Sequence, residues 1–181
     1  MEFASIGGGA VAPAGAPVVT QSDQPQVRQG HQEAVRVMLL KKKERTIQRI
    51  LVVEDEPLVA FDNEYLIKDA GYEVVATVDT VEDAQRTMEE DDEVDLVLLD
   101  INLSDGSGIE VARLAQEKGI NVLFVTGECP SEHQHLAVGC LSKPYSDKVL
   151  KNAIQAIDAL ASGGKLKKVP DQLTLFSQDA A

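Results

Sequence analysis

Acidic residues stand directly after two short apolar runs of this 181-residue chain. Glu54 and Asp55 follow the run Ile50-Leu-Val-Val53, and Asp100 follows Val94-Asp-Leu-Val-Leu-Leu99. If the two runs are neighbouring parallel strands, their carboxyl ends meet at one edge of a sheet and the three carboxylates share a small pocket. Like charges that close repel one another, so the cluster requires a compensating cation. A divalent metal ion and a lysine are the two candidates.

A lysine and a hydroxyl group follow two further apolar runs. Thr126 comes directly after Val122-Leu-Phe-Val125, and Lys143 stands before Pro144 at the end of Gly139-Cys-Leu-Ser142. Any one acid at a strand end is usually a helix cap or a turn residue. Five polar residues that all follow apolar runs are much better explained by one shared site than by five separate caps or turns.

Composition favours an aliphatic core and excludes several functions. Hydrophobic residues make up 44% of the chain but aromatic residues only 4%, which favours valine- and leucine-rich parallel strands. The net charge is −13, and the body after residue 49 is acidic, so we expect no nucleic-acid partner. We expect no membrane partner and a cytoplasmic location, because no apolar run approaches a membrane span and the amino terminus lacks a signal peptide.

The two cysteines, Cys129 and Cys140, show no spacing typical of a zinc site. We interpret both as free thiols in a reducing cytosol rather than as a disulfide.

The chain divides by composition into four segments. Residues 1–30 form a Gly-, Ala-, Pro- and Gln-rich leader that we expect to be disordered, and residues 31–48 form a basic lead-in, either a short helix or a solvated segment. Residues 49–161 carry the regular pattern of one domain. Residues 162–181 form a mixed tail that either packs on the body or acts as a peptide motif.

Within the domain, apolar runs alternate with helical periods. This alternation predicts an α/β fold, a five-stranded parallel doubly wound sheet covered by helices on both faces. The predicted strands are Ile50–Val53, Glu73–Thr77, Val94–Leu99, Val122–Val125 and Cys140–Ser142; the predicted helices are Pro57–Ala70, Val81–Glu89 with Thr80 as N-cap, Ile109–Lys118, a weak stretch at Glu132–Val138, and Asp147–Ala161.

The ordered set of five polar residues resembles the receiver domain of bacterial two-component response regulators, over Arg49 to Ala161. The resemblance implies a flavodoxin-like (β/α)5 fold and binding of Mg²⁺. It further implies specific roles: Asp100 as phospho-acceptor, Asp55 and Asp100 as direct metal ligands, Glu54 as a ligand through water, the backbone carbonyl of Asn102 as a further ligand, and Thr126 and Lys143 as contacts of the phosphoryl oxygens.

Two positions depart from the commonest receiver pattern. Cys140 stands three residues before the lysine, where the family usually carries a switching Tyr or Phe. Thr126 is followed by Gly127 rather than Ala and preceded by Phe124-Val125, which is similar to the single-domain FAT GUY regulators of general stress signalling. Glu128 and Cys129 do not match that motif. Switching by rotation of an aromatic ring is therefore not expected here.

We interpret the chain as a single-domain response regulator that accepts a phosphoryl group on Asp100 from a histidine kinase or a phosphotransfer protein and signals through its own surface to an unknown target. It is then a phosphoprotein and not an enzyme in the ordinary sense. A phosphate sink that drains a kinase by self-hydrolysis is the alternative. A phosphatase with an aspartate nucleophile is a remote third, because Asn102 stands where its general acid belongs and cannot transfer a proton.

Overall fold

The computed structural model describes residues 45–166 and 169–177. The predicted leader, residues 1–30, and most of the lead-in, residues 31–48, lie outside this part of the chain. The described end of the lead-in, residues 45–48, is not helical. It is held by the carboxylate of Asp158, which accepts hydrogen bonds from the amides of Thr46 and Ile47 at 2.8 and 2.9 Å.

The sheet contains six strands in the described chain. They are β1 (Arg49–Val53), β2 (Glu73–Val78), β3 (Leu96–Leu99), β4 (Asn121–Thr126), β5 (Gly139–Ser142) and β6 (Leu173–Leu175). Their order is β2-β1-β3-β4-β5-β6. The first five strands are parallel, and β6 is antiparallel to β5. The predicted parallel α/β sheet is therefore confirmed, with its reversal of strand order at β1 and β3.

The described chain contains four α-helices; the first three connect successive parallel strands, the fourth follows β5, and their limits follow local signals. They are α1 (Pro57–Asp69), α2 (Val81–Glu90), α3 (Gly108–Glu117) and α4 (Asp147–Ala161). Pro57 occupies the first turn of α1. The Thr80 hydroxyl accepts a hydrogen bond from the Asp83 amide at 3.1 Å, so the predicted N-cap of α2 is confirmed.

The sheet separates two apolar layers. Alternate residues of each strand point to opposite faces, so Ile50 and Val52 pack with α1 and α4 while Leu51 and Val53 pack with α2 and α3. Both faces are buried, which explains why the central strands read as unbroken apolar runs.

Two elements differ from the sequence prediction. The Glu132–Val138 stretch forms only a short 3-10 helix, Gln134–Leu136, because it supplies just two buried side chains, those of Leu136 and Ala137. The tail supplies the additional strand β6. Its Leu173 is buried against the core, and the Ser142 amide donates to the Gln172 carbonyl at 3.0 Å.

The prediction of two free thiols is wrong: Cys129 and Cys140 form a disulfide. The physical reason lies in the sheet order. Strands β4 and β5 are neighbours, so the loop that leaves β4 passes over β5 and brings the two Cα atoms to 5.9 Å. Spacing along the chain does not reveal this approach.

None of the helices in the described part of the chain has the length and apolarity needed to cross a membrane.

Candidate functional site: an acidic pocket at the carboxyl edge of the sheet

Backbone hydrogen bonds fix the predicted site residues where their strands end. The amide of Glu54 donates to Val78 at 3.0 Å, and that of Asp100 donates to Val53 at 2.9 Å. The ladders between β1, β2 and β3 thus continue one residue beyond the strands. The two carboxylates are consequently placed by the sheet rather than by flexible loops.

Lys143 brings together two of the three predicted acids, Glu54 and Asp100. Its Nζ lies 2.8 Å from Glu54 Oε2 and 2.6 Å from Asp100 Oδ2. Only 2% of Glu54 and 7% of Asp100 is exposed, so both charges are largely removed from water. The exposed Glu56 is a weaker neighbour, with Oε1 at 3.8 Å from Nζ. One ammonium group therefore compensates two buried carboxylates.

The pocket changes the ionisation of two of its groups. Burial raises the pKa of Glu54, and the hydrogen bonds and charge of Lys143 only partly offset that effect. Burial also lowers the pKa of Lys143, but the hydrogen bonds and charges of Asp100 and Glu54 outweigh it and the pKa of the ammonium is raised. The lysine is therefore held firmly in its charged form.

The loop after Asp100 turns tightly beneath that residue. The amide of Asn102 donates to Asp100 Oδ1 at 2.9 Å, and the amide of Gly108 donates to the Ile101 carbonyl at 2.8 Å. A Cβ atom on Gly108 would lie 2.3 Å from the Asp100 carbonyl oxygen, which no side chain tolerates. Glycine is thus required for α3 to start this close to the candidate acceptor.

The remaining predicted residues lie around the same edge. Thr126 is buried at the end of β4, and its carbonyl accepts a hydrogen bond from the Lys143 amide at 2.8 Å. Asp55 is half-buried in the bend that precedes α1, and Asn102 is exposed. The Lys143–Pro144 peptide bond is cis.

Sequence reasoning missed a polar pair beside the pocket. The Tyr145 hydroxyl donates to Asn63 Oδ1 at 2.9 Å, and Asn63 is only 2% exposed. Burial raises the pKa of Tyr145. Asn63 was detectable, since it is a polar residue at the core spacing of α1 between Ala60 and Ile67. The pair holds the segment after Lys143 against α1.

The donor set fits a hard divalent cation in chemical type. Glu54, Asp55 and Asp100 offer carboxylate oxygens, the donors that Mg²⁺ prefers, and one lysine leaves the pair Glu54 and Asp100 with a net negative charge. As placed, no three acidic, histidine or cysteine side chains in the described chain converge as a metal cage. In this arrangement Lys143 itself supplies the compensating cation.

A family model places the chain among known proteins. The model for the response regulator receiver domain matches residues 50–155. The match covers more than half of the chain, so this protein belongs to the response regulator receiver family, as the sequence predicted.

Individual relatives agree with the family. The phyllosphere-induced regulator PhyR of Methylorubrum extorquens is 37% identical over 79 residues, which are 42% of this chain and 30% of that protein. The crystal structure of TrrA from Thermotoga maritima in complex with Mg(2+)-BeF is 28% identical, covers 60% of this chain and 97% of that one, and gives a TM-score of 0.55. PhyR from Brucella abortus is 30% identical, covers 60% of this chain and 46% of that one, and gives a TM-score of 0.50. This chain thus spans less than half of either PhyR protein.

Replacing Lys143 should destabilise the fold, because two buried carboxylates would lose their counter-charge. In excess chelator at neutral pH, we expect Lys143→Met to lower the free energy of unfolding by about 3 kcal/mol or more, since Glu54 and Asp100 lose their counter-charge. Without the lysine, the pKa of Glu54 rises further above its unfolded value. The folded variant then binds a proton that the unfolded chain has already lost, so its stability recovers as the pH falls through that pKa.

Urea unfolding at neutral and mildly acidic pH measures this effect. Lys151→Met is the matched control, because the Lys151 ammonium pairs with the exposed Asp69 at 2.5 Å and screening by water leaves that pair weak. Equal decreases in the free energy of unfolding of the two variants would contradict the assigned role of Lys143.

Proposed function

We propose that this protein accepts a phosphoryl group on Asp100 from a histidine kinase or a phosphotransfer protein, in an Mg²⁺-dependent reaction, and signals through its own surface. The observation that carries the proposal is the convergence of Asp100 and Glu54 on Lys143 in a buried pocket. A role in general stress signalling belongs to the same proposal, and the likeness of Phe124-Val125-Thr126-Gly127 to regulators of that type supports it.

Asp100 is suited to act as the nucleophile. A carboxylate oxygen of Asp100 attacks the phosphorus, the bond from phosphorus to the donor nitrogen breaks, and the donor imidazole leaves with that electron pair. The Lys143 ammonium already lies 2.6 Å from Asp100 Oδ2, which places a positive charge beside the oxygens of an incoming phosphoryl group. We assign to the Thr126 hydroxyl a hydrogen bond to another of those oxygens.

The metal belongs to the same edge of the sheet. Asp55, Asp100 and the carbonyl of Asn102 would hold Mg²⁺ directly, and Glu54 would hold it through water. When bound, Mg²⁺ supplies positive charge that offsets the repulsion between the acceptor carboxylate and the phosphoryl oxygens. The excess of carboxylate over ammonium charge around Lys143 supports this requirement.

A partner that carries the phosphohistidine requires a surface next to the acceptor. Leu58, Phe61 and Tyr65 occupy one face of α1 and are 81%, 69% and 62% exposed. Helix α1 begins directly after Glu56, which borders the pocket. We assign this apolar face to the partner surface around the phosphorylated histidine, since docking there brings the histidine to the mouth of the pocket.

Removal of the acceptor tests the central assignment. Asp100→Asn should abolish Mg²⁺-dependent, acid-labile phosphorylation, because an amide lacks the nucleophilic oxygen charge. Incubation with acetyl phosphate followed by a phosphate-affinity gel measures it. Asp62→Asn, a change of an exposed acid on α1, should label like the wild type. Labelling of Asp100→Asn at the wild-type level would contradict the proposal.

Metal binding is tested by stability rather than by labelling. Mg²⁺ binds only the folded state, so at about 100 times its Kd it should stabilise the wild type by roughly 2.7 kcal/mol. Asp55→Ala should lose most of this gain, whereas Asp79→Ala, an exposed acid just after β2, should keep it. Thermal unfolding in Mg²⁺ and in chelator decides the point. An unchanged metal response in Asp55→Ala would place the ligand elsewhere.

The proposed docking face on α1 is tested by comparing phosphorylation by a kinase with phosphorylation by a small donor. Phe61→Ala should slow phosphotransfer from a cognate kinase about tenfold, as loss of an exposed aromatic anchor does at an interface. Labelling by acetyl phosphate should not change, because that donor needs no docking. Leu160→Ala, at a 41% exposed apolar residue of α4, is the control. Equal slowing with both donors would show that Phe61 acts on the pocket instead.

A further inference from the structure

We propose that Cys129 and Cys140 form a reversible redox modification site, oxidised by a peroxide and reduced by a small thiol or dithiol. The two cysteines lie close in sequence to Thr126 and Lys143, the residues proposed to contact the phosphoryl group. Cys129 lies three residues after Thr126, and Cys140 lies three residues before Lys143. The disulfide therefore joins the two segments that carry these site residues.

The two sulfur atoms differ in access. Cys140 lies in β5 and is fully buried, whereas Cys129 is half-buried in the loop after β4. The neighbouring Gly127 and Glu128 are exposed, and a Cβ atom added to Gly127 would meet no other atom within 4 Å. A small reagent can therefore approach Cys129 but not Cys140. When a thiol reduces the disulfide, Cys129 is therefore the sulfur that is attacked and Cys140 is the sulfur that leaves.

A polar neighbour supports Cys129 as the reactive sulfur. The Ser142 hydroxyl lies 3.4 Å from Cys129 Sγ, which is within hydrogen-bond distance for sulfur. When the disulfide opens, this hydroxyl can donate to a Cys129 thiolate and stabilise it.

The chemistry balances in both directions. In oxidation, the Cys129 thiolate attacks one peroxide oxygen, hydroxide leaves, and a sulfenic acid forms on Cys129; the Cys140 thiol then attacks that sulfur and water leaves. In reduction, an external thiolate attacks Cys129 Sγ and expels the Cys140 thiolate, which takes a proton from water. A second thiolate releases Cys129, and the reductant ends as its own disulfide.

The disulfide restrains a weakly held segment. It closes a loop of residues 129–140, which includes the 3-10 helix and only a few side-chain hydrogen bonds, such as those from Gln134 to the Pro130 carbonyl and from Gln116 to the His135 carbonyl. This loop starts at Cys129, just beyond Thr126. Its oxidation state consequently sets how freely the chain after Thr126 can move.

The second half of the inference rests on the proposed function. If Thr126 responds to a phosphoryl group, the oxidised protein should show a smaller change in residues 127–138 on binding beryllofluoride than the reduced protein. In the absence of beryllofluoride, amide exchange in this segment should be about tenfold or more faster after reduction.

The experiment uses the full chain in hydrogen peroxide and in dithiothreitol. After excess reagent is removed, the protein is unfolded in denaturant and alkylated; intact mass should show no modified cysteine and about 2 Da less than the dithiol form after peroxide, and two modified cysteines after dithiothreitol. Hydrogen exchange of residues 127–138, with and without Mg²⁺ and beryllofluoride, follows on each form. Cys129→Ser is the control: it places a hydroxyl where the Cys129 sulfur lies near Ser142, cannot form the disulfide, and should resemble the reduced wild type in both conditions.

The outcomes are distinct. Failure of peroxide to form the bond, or of dithiothreitol to open it in the folded protein, overturns the redox site. A reversible bond with equal exchange in the oxidised and reduced forms overturns its restraining role. A third outcome is a reversible bond with the expected difference in exchange, but with no response to beryllofluoride in either form. This outcome supports the redox site and contradicts the proposed function.

Discussion

The ion pair of Lys143 with Glu54 and Asp100 is the interaction on which the carboxyl edge of the sheet depends. Buried carboxylates are costly unless they are paired, and here the ends of β1 and β3 each deliver one. Their partner follows β5, so the lysine side chain must reach across the end of β4. The strand order β1-β3-β4-β5 thus places the lysine within reach of both carboxylates.

The same ion pair leaves the charge of the pocket incompletely compensated. One ammonium group offsets two carboxylates, so the pocket retains a net negative charge that water reaches poorly. The close approach of Gly108 to the Asp100 carbonyl and the hydrogen bond from the Asn102 amide position Asp100, the proposed acceptor. We infer that the proposed reactivity of Asp100 depends on incomplete compensation of charge at a position fixed by the backbone.

Most of the parallel sheet and the meeting of Glu54, Asp100 and Lys143 were predictable because apolar runs mark strands and parallel strands end at a common edge. Contacts set by tertiary packing were not predictable. The Cys129–Cys140 bond depends on the adjacency of β4 and β5, and the pairing of Tyr145 with Asn63 depends on how the segment after β5 meets α1. Strand β6 has only three residues, too short a pattern to distinguish from a tail.

Strand β6 also packs closely against β5, the strand that leads into Lys143. A Cβ atom on Gly139 would lie 2.7 Å from the Thr174 carbonyl oxygen, so β6 leaves no room for a side chain at this position of β5. The amide of Phe176 extends this contact with a hydrogen bond to Val138 at 3.1 Å. Strand β5 leads into Lys143 at one end and contacts β6 along its length. Because closely packed elements transmit displacements to their neighbours, we expect any shift of β5 to move β6 with it.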